Sequence, residues 1–487
     1  MPFEAVILWT DALVYVLIAC VVVSAIYVRR HEHLREPWRR VGRSASGMVG
    51  LVVLTVFVII GVLDSLHFRA RLATGDPRGS VAYAVEITSV LDRLLRQLKV
   101  QSEKTYSAPL AYQLYSRETI DLPDARQSRE YPRLRYGGAH LKKPDQERNS
   151  DLARRTIAGA ALGLVFWLVI GTLVCAGIAR TSGEGIDRAW RGVLHGETSW
   201  PWRAILVALG ALLLTACIAY VLAGRYHVLG TNKVGQDVLY QALKSIRTAL
   251  VIGTLTTLVM LPFAVLLGIA AGYFKGWVDD VIQYIYTTLN SIPSVLLIAA
   301  AVLLVQVYMD THPSLFPTAV ERADRRLLML CAILGVTNWT GLCRLLRGET
   351  LKIRELDYMQ AAQAFGVSHM RIILRHILPN VMHIVLIAVV MEFSSLVLAE
   401  VVLSYVGVGV DPSMMSFGTM INAARLEMAR EPIVWWSLAA AFGFMFALVL
   451  AANLFADAVR DAFDPRVAMT KPLRLRVVKP RAAGATP

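Results

Sequence analysis

Residues 344–380 read RLLRGETLKIRELDYMQAAQAFGVSHMRIILRHILPN, and they lie between two strongly apolar runs. The first half, up to Phe365, is rich in residues that favour helices. Gly366 is expected to end this helix, because a residue without a Cβ adopts the left-handed conformation that helix ends often need. Ser368 is then placed to cap a second helix through its hydroxyl group.

The second helix is predicted to have one apolar face. The spacing i, i+3, i+4, i+7 and i+8 places five residues in a single stripe: Met370, Ile373, Leu374, Ile377 and Leu378. Arg371 and Arg375 lie off this stripe, and Pro379 is expected to interrupt the helix. The stretch is therefore predicted to be a helix–turn–helix with a basic, exposed side, which forms a docking surface on the cytoplasmic side of a membrane.

The composition indicates an all-α membrane protein with several spans. The chain has 487 residues, of which 56% are apolar, and its mean hydropathy of +0.52 is too high for an ordinary soluble protein. A run of about 17 to 25 apolar residues is long enough to cross a bilayer. Runs of this kind predict about nine transmembrane helices, near residues 9–28, 47–63, 157–179, 204–223, 250–272, 285–308, 327–343, 384–409 and 433–455.

Charges beside the apolar runs predict the orientation. The net charge is +14, and the basic residues cluster next to apolar runs, where they fix topology rather than form a nucleic-acid surface. Loop 29–46, residues 344–380 and the tail after residue 466 are basic and are expected in the cytoplasm. An odd number of spans satisfies all of them with the N-terminus outside and the C-terminus inside. Residues 64–154 are then external.

No catalytic residue, metal site or cofactor site is predicted. The five cysteines lie in or beside apolar runs without a C-x-x-C pair, so they are interpreted as buried apolar residues. The sequence lacks the G-x-x-x-x-G-K-[ST] loop that would hold the phosphates of ATP. Energy for transport is therefore expected from a partner or from an ion gradient.

The central stretch also carries a family resemblance. Gln360-Ala361-Ala362, then Gly366, then His376-Ile377-Leu378-Pro379 resembles the EAA loop of ABC importer permeases, and the ending RHILPN is similar to that of dipeptide and oligopeptide permeases. The resemblance implies two short helices that fit a cleft in an ATP-hydrolysing partner and transmit its motion. Gln360 departs from the family glutamate, which removes the charge of any ion pair there. The residues implied in coupling are Asp357, Gln360, Ala361, Ala362, Gly366, Arg371, His376, Leu378 and Pro379.

The resemblance covers residues 204–467 and implies a six-helix permease core that follows three additional N-terminal helices. The expected division is 1–63 for two additional helices, 64–154 for an external segment, 155–203 for a third additional helix and a cytoplasmic loop, 204–467 for the core with its coupling loop at 344–380, and 468–487 for a basic cytoplasmic tail.

Two segments are predicted to form amphipathic helices outside the membrane. Residues 85–98 (VEITSVLDRLLRQL) have this character within the external segment. Residues 224–248 resemble the family segment G-T-D-x-x-G-R-D, in which Gly230, Thr231, Gly235 and Asp237 match. The family implies that the helix after this segment lies on the membrane surface.

Two carboxylates lie within the eighth apolar run, at Glu392 and Glu400. A charge at membrane depth costs on the order of 3 kcal/mol, so such residues usually face an interior or a cavity. Both are candidates for the translocation path, and the alternative is a structural bond to a serine, an arginine or a water molecule. Pro293 predicts a kink that opens backbone carbonyls to the bundle interior. Asp411 begins an external loop that resembles the family's gate segment, although a plain connector is the alternative.

The resemblance implies a transmembrane permease subunit of an ATP-driven importer in the inner (cytoplasmic) membrane, with a di- or oligopeptide as the suggested cargo. The implied partners are a second homologous permease subunit, two ABC ATPase subunits, a periplasmic or lipid-anchored solute-binding protein and membrane lipid, but no nucleic acid. Three alternatives stay open: a non-peptide cargo such as nickel, an ion-coupled secondary transporter that uses Glu392 and Glu400, and a membrane scaffold.

Overall fold

The computed structural model describes residues 3–71, 83–121, 127–183, 185–316 and 318–464. These residues form the predicted all-α bundle and, in addition, two small sheets that the sequence did not predict. The basic tail 468–487 lies outside the described residues. The helices are α1 (Trp9–Arg30), α2 (Glu32–Arg43), α3 (Ala45–Ser65), α4 (Val90–Leu94), α5 (Arg96–Val100), α6 (Pro144–Ser182), α7 (Ile186–His195), α8 (Trp202–Ala223), α9 (Val238–Phe274), α10 (Trp277–Ser291), α11 (Ser294–Thr311), α12 (Ala319–Asn338), α13 (Thr340–Arg354), α14 (Asp357–Ala364), α15 (His369–Ile372), α16 (Leu378–Val406), α17 (Phe417–Glu427) and α18 (Trp436–Phe463). A 3-10 turn occupies Pro313–Leu315, and a π turn at Ile373–Ile377 joins α15 to α16.

Nine helical stretches in the described ranges are long and apolar enough to cross a membrane, which confirms the predicted number. Two of the crossings are interrupted at their centres. The sixth divides into α10 and α11 at Pro293, and the seventh divides into α12 and α13 at Trp339. The Thr340 hydroxyl donates a hydrogen bond to Asn290 at 3.0 Å, so the two interruptions lie side by side.

The strands lie next to the ends of the first two crossings. The strands β1 (Phe3–Val6), β2 (His67–Ala70) and β3 (Thr88–Ser89) form one antiparallel sheet in that order, and β4 (Glu118–Asp121) pairs with β5 (Gln127–Glu130) in a second. Because β1 precedes α1 and β2 follows α3, their pairing places both ends of this helical hairpin on one side. This is the arrangement that an external N-terminus requires, and the orientation itself stays a prediction.

The predicted single helix at residues 85–98 is wrong. The chain there enters β3, then forms α4 and α5, which are separated by a turn at Leu95. Ser89 and Asp92 form a reciprocal capping box that begins α4 only at Val90. The capping residues therefore set a helix start that the apolar periodicity alone does not reveal.

The predicted surface helix after Asp237 is also wrong. Asp237 accepts hydrogen bonds from the backbone N–H groups of Leu239 and Tyr240 at 2.9 and 3.2 Å, and α9 then continues without a break to Phe274. Its polar face is covered by protein rather than by water. Lys244 on this face bonds Asp64 at 2.6 Å and Asp92 at 3.0 Å, and both aspartates belong to the N-terminal part of the chain.

A buried ionic cluster joins the N-terminal helices to the core. Arg247 of α9 is 6% exposed and donates to Asp11 of α1 at 2.6 Å and to the Thr10 hydroxyl at 3.0 Å. Asp324 of α12 accepts from the Thr10 backbone N–H at 3.2 Å, and His67 bonds Asp11 at 2.7 Å. Removing one partner of such a buried pair costs about 3 to 5 kcal/mol, because the other charge is left without compensation. The cluster therefore fixes α1 against α9 and α12.

A second buried cluster, here called the external clamp, consists of Glu103, His227 and Asp237. Glu103 accepts backbone hydrogen bonds from residues 135–137 at 2.8, 2.8 and 3.1 Å, and the imidazole of His227 lies 3.4 Å from Glu103 and 2.8 Å from Asp237. Gly235 has a φ of +74°, and a Cβ there would lie 1.8 Å from the carbonyl oxygen of Glu103. The clamp holds the external segment on the loop that precedes α9.

The clamp predicts a pH dependence for the attachment of the external segment. Burial opposes the charged form of His227, but its two carboxylate partners outweigh burial and raise its pKa from 6.5 to about 9. Burial likewise opposes ionisation of Glu103, but the bond to His227 and the three backbone N–H groups lower its pKa from 4.5 to about 2. The charged His227 stabilises the attachment of the external segment by at most about 3 kcal/mol. This stabilisation is complete below pH 6.5 and is lost as the pH rises through 9. The stabilisation of the attachment by ionised Glu103 is complete above pH 4.5 and is lost as the pH falls through 2.

We therefore expect hydrogen exchange of residues 103–115, corrected for the intrinsic rate, to be slowest between pH 4.5 and 6.5 and clearly faster at pH 9.5. Glu103→Gln should raise exchange at pH 6, because the neutral amide no longer pairs with the imidazolium. Glu118→Gln is the matched control, since Glu118 forms an exposed ion pair with Lys104 on the same segment. Equal exchange in the two variants would contradict the clamp.

Candidate functional site

The turn at Gly366 has the geometry that its sequence predicts. The N–H of Gly366 bonds the carbonyl of Gln363 at 3.0 Å, and the N–H of Val367 bonds the carbonyl of Ala362 at 3.1 Å. These two bonds form a Schellman motif, which requires the left-handed φ of +71° that Gly366 adopts. A Cβ at Gly366 would meet no atom within 4 Å, so the glycine is needed for its backbone conformation and not for space.

The predicted apolar stripe of the second helix is wrong in part. Ile372 and Ile377 are both fully buried, whereas Met370 is 67% and Leu374 is 58% exposed. Leu374 lies within the π turn at 373–377, which inserts one extra residue and shifts the helical period there. Met370 lies before this turn, in the single-turn helix α15. The sequence spacing of an ordinary α-helix therefore assigns the wrong partners to the core.

Two further local expectations at this helix are corrected. Pro379 does not interrupt the helix, because α16 continues through it from Leu378 to Val406. The wider π turn displaces the carbonyl of Arg375, with which the proline ring would otherwise clash. Ser368 occupies the N-cap position of α15, but its side chain makes no capping hydrogen bond.

The loop carries an exposed apolar surface, here called the coupling surface, on the side that is predicted to be cytoplasmic. Its members are Tyr358, Phe365, Met370 and Leu374, with exposed fractions of 46, 87, 67 and 58%. Met359, Ile372 and Ile377, directly beneath, are fully buried in one cluster with α9, α10 and α13. Large apolar side chains that are exposed together on a packed base are typical of a protein interface.

The predicted coupling residues surround this surface. Six of them are exposed: Asp357, Gln360, Ala361, Gly366, Arg371 and Pro379. Ala362, His376 and Leu378 are half-buried and connect the surface to its base. Gln360 donates a hydrogen bond to the backbone carbonyl of Glu355 at 3.3 Å, so it caps the preceding turn in place of a charged contact.

Polar contacts fasten the coupling loop to the neighbouring helices. The Tyr273 hydroxyl lies 2.8 Å from Nδ1 of His369, and Lys275 bonds Glu355 at 2.7 Å. Deeper in the bundle, Arg347 donates two bonds to the carboxylate of Asp279, at 2.6 and 2.7 Å. Such a paired arginine–carboxylate contact is geometrically specific, so it holds α10 and α13 together next to the loop.

Glu400 is buried between helices and does not face an open cavity. It is 1% exposed and accepts a hydrogen bond from Ser404 one turn later at 2.7 Å. A Cβ on Gly418 of α17 would lie 2.8 Å from its carboxylate oxygen, so α17 packs directly against it. The bond to Ser404 is the arrangement that the sequence left open as the alternative, and the path role of Glu400 stays a prediction.

Glu392 lies on a groove between α13, α16 and α18. It is 14 residues after Leu378, about 21 Å along the helix, and its carboxylate accepts from the Ser395 hydroxyl at 2.5 Å. The groove has a volume of about 750 Å³, and its polar lining is Glu349, His383, Glu392, Ser395, Arg460 and Asp464. Glu349 is paired with Lys352 at 3.0 Å, and the carboxylate of Glu392 lies in the same groove with a serine as its hydrogen-bond donor.

Pro293 lies at a break between two helices, and Asp411 lies in the loop after α16. Pro293 separates α10 from α11 and is exposed in the single chain, so the kink is present. Asp411 accepts from the backbone and the hydroxyl of Ser413, at 2.9 and 2.7 Å, and lies 3.7 Å from Arg326 of α12. Its loop is therefore tied to the bundle, and the path role of both residues stays a prediction.

An external cavity of about 660 Å³ contains residues that sequence reasoning missed. Glu427 is 6% exposed and accepts from the Tyr106 hydroxyl at 3.1 Å, and burial raises its pKa above the usual value. Lys233 and Arg430 also line this cavity. The partners come from distant parts of the chain, so no local motif indicated them. The exposed residues of the coupling surface were missed for another reason, since an α-helical period placed Met370 and Leu374 in the core.

A nine-helix membrane bundle with an exposed, Schellman-linked helix pair between its seventh and eighth crossings defines a permease subunit of an ABC importer. The comparison with known proteins agrees with this class. The model of the family described as binding-protein-dependent transport system inner membrane component matches residues 264–469. The chain belongs to this family, and it is a multi-pass protein of the inner membrane whose ATPase and solute-binding functions reside in separate proteins.

Several curated relatives are similar to the C-terminal part of the chain. The oligopeptide transport system permease protein OppC of Mycobacterium tuberculosis is 30% identical over 282 residues, which cover 54% of this chain and 90% of that protein. The glutathione transport system permease protein GsiD of Pectobacterium atrosepticum is 31% identical over 50% of this chain and 73% of its own length. The dipeptide transport system permease protein DppC of Bacillus subtilis is 27% identical over 50% and 69%.

The Schellman turn predicts a selective defect at Gly366. Gly366→Pro should abolish ATP-driven uptake while the protein still inserts, because proline neither adopts a positive φ nor donates the N–H bond to Gln363. Gly183→Pro is the matched control, since Gly183 has a φ of +67° and a bonded N–H at the end of α6, far from the coupling loop. Uptake by reconstituted vesicles and membrane content should be measured for both. Normal uptake in Gly366→Pro would contradict the assignment.

Proposed function

We propose that this chain is one of two homologous permease subunits of an importer for short peptides, and that its coupling surface docks on one of two ABC ATPase subunits. A periplasmic or lipid-anchored solute-binding protein delivers the cargo to the external side. Closure of the ATPase subunits pushes the pair α14 and α15, and the bundle then alternates between inward and outward access.

One observation carries this proposal. The coupling surface exposes four large apolar residues above a fully buried base. Apolar side chains that are exposed to water add no stability to the folded chain. The turn between the two helices is fixed by two hydrogen bonds, so a force applied at Phe365 reaches α16 through a defined geometry. A loop without a partner would require neither feature.

We also propose the division of the chain that the sequence suggested. Residues 1–63 and 155–203 supply three additional crossings, residues 64–154 form the external segment, and residues 204–467 form the permease core. The ionic cluster at Arg247 and the external clamp lie on the boundary between these parts. The additional helices are thus a fixed support of the core.

The peptide cargo is supported by charges at both ends of the bundle. The external cavity offers Glu427 together with Lys233 and Arg430, which suits a molecule with an ammonium group and a carboxylate. The groove contains the Glu392 carboxylate, which suits an ammonium group. The relatives that transport oligopeptides, dipeptides and glutathione point to the same class of cargo.

Docking through the coupling surface predicts the effect of a charge at Phe365. Phe365→Asp should reduce copurification of the ATPase subunit by more than tenfold, because a carboxylate would have to be desolvated in an apolar contact. Val85→Asp is the control, since Val85 is also 87% exposed but lies in the external segment. Detergent pull-down with quantified ATPase subunit is the measurement. Equal recovery in both variants would exclude the proposed surface.

The two carboxylates of α16 should differ in their effect on transport. Glu392→Gln should lower uptake of peptides with a free amino group about tenfold while N-acetylated peptides change little, because the amide no longer attracts an ammonium group. Glu400→Gln should leave the peptide preference unchanged, since Glu400 supports α17 and does not face the groove. Uptake of a panel of di-, tri- and oligopeptides, with nickel as a separate arm, tests this. Nickel uptake without peptide uptake would contradict the proposed peptide cargo, but it would leave the proposed docking on the ATPase subunit intact.

A further inference from the structure

The cytoplasmic connection between α6 and α8 encloses a cavity that the permease mechanism does not use. Its volume is about 1140 Å³, and its walls are the end of α6, one side of α7 and the loop 197–202. This part of the chain precedes the matched family region, residues 264–469. The cavity is therefore a feature of the additional helices and needs its own explanation.

The lower wall of the cavity is apolar. Val174 and Ile178 of α6 line it together with Trp200 of the loop and Trp202 at the start of α8. Gly177 and Gly192 face open space, because a Cβ at either position would meet no atom within 4 Å. An open, apolar wall beside a membrane crossing, flanked by tryptophans, is typical of the boundary between acyl chains and head groups.

The upper wall is polar and mainly basic. Arg188, Arg191 and His195 follow one another at spacings of three and four residues, so they form one stripe of α7 along the cavity. The hydroxyl groups of Thr181, Ser182, Thr198 and Ser199 line the same region, and Glu197 is the carboxylate among the lining residues. On another face of α7, Ala189 and Val193 are buried against α6 and α8, which fixes the direction of the basic stripe.

A second basic helix lies beside the cavity. A Cβ on Gly42 of α2 would lie 2.5 Å from the ring of Trp200, so α2 contacts the loop that closes the cavity. α2 packs against the end of α18 through Val41, and its exposed side carries Arg39 and Arg40. The two cytoplasmic connections of the N-terminal part thus present one continuous basic border at the predicted membrane surface.

We propose that this cavity binds the head group of an anionic phospholipid, with Arg188 and Arg191 on the phosphate, the serine and threonine hydroxyls on the remaining head-group oxygens, and the acyl chains along Val174 and Ile178. Basic pockets between transmembrane helices on the cytoplasmic side recognise anionic lipids in this way. A soluble phosphate compound would use the basic stripe but leave the apolar wall uncovered, so the lipid fits both walls. The bound lipid would fix α6 against α8, which in turn packs against α3.

Native mass spectrometry of the full chain tests this proposal, with phosphatidylglycerol and phosphatidylethanolamine of identical acyl chains as probes. The unmodified chain should retain phosphatidylglycerol in preference to phosphatidylethanolamine. Arg188→Gln with Arg191→Gln should reduce this preference about tenfold. Arg180→Gln with Arg203→Gln is the matched control, because it removes the same charge from neighbouring exposed arginines that do not line the cavity. Retention should be unchanged in the control.

A second variant keeps the test decisive if the double substitution impairs folding. Gly177→Leu fills the open wall without a change of charge and should lower phosphatidylglycerol retention to the same extent. Inorganic phosphate and glycerol phosphate form the soluble arm, and neither should form a retained adduct. Full retention in both cavity variants, or retention of the soluble phosphates at the level of the lipid, would overturn the proposal.

Discussion

The fold depends on the pairing of charges that are buried between helices. Arg247 lies on a helix that crosses the bilayer, and an isolated guanidinium there would be costly. Its partners Asp11 and Asp324 come from α1 and α12, which are more than 200 residues apart in the chain. Because each charge is tolerated only with the others, the N-terminal helices and the permease core form one body at their external ends.

This constraint determines where the bundle is able to move. The external ends are fastened by the Arg247 cluster and by the external clamp, whereas the coupling surface at the other end lies in the open. The interruptions at Pro293 and Trp339 lie between these ends, in adjacent crossings that Thr340 and Asn290 connect. A force at the coupling loop would therefore act on the cytoplasmic halves and be taken up at the interruptions, where helix hydrogen bonds are already missing.

Local rules in the sequence predicted the local features well. The nine crossings follow from apolar length, and the end of α14 follows from the requirement for a glycine at a positive φ, which Gly366 meets. The assignment of Leu374 to the core failed, because the π turn changes the helical period and leaves no pattern of its own in the residues. The prediction of a surface helix after Asp237 failed for a different reason. Lys244 and Arg247 resemble the polar side of a surface helix until their aspartate partners, far away in the chain, are known.

The difference between local rules and distant contacts also explains why the sequence could not assign different roles to the two carboxylates of α16. Glu392 and Glu400 are eight residues apart, about 12 Å along the helix, and each stands in an apolar run. What distinguishes them is the neighbour that each meets in space. Gly418, from α17, closes the surroundings of Glu400, whereas α13 and α18 diverge at Glu392 and leave a groove with Arg460 and Asp464. A carboxylate in a closed, hydrogen-bonded site stabilises one arrangement of helices, and a carboxylate in a groove remains available to a ligand. The assignment of these two residues to different tasks therefore rests on tertiary packing rather than on residue type.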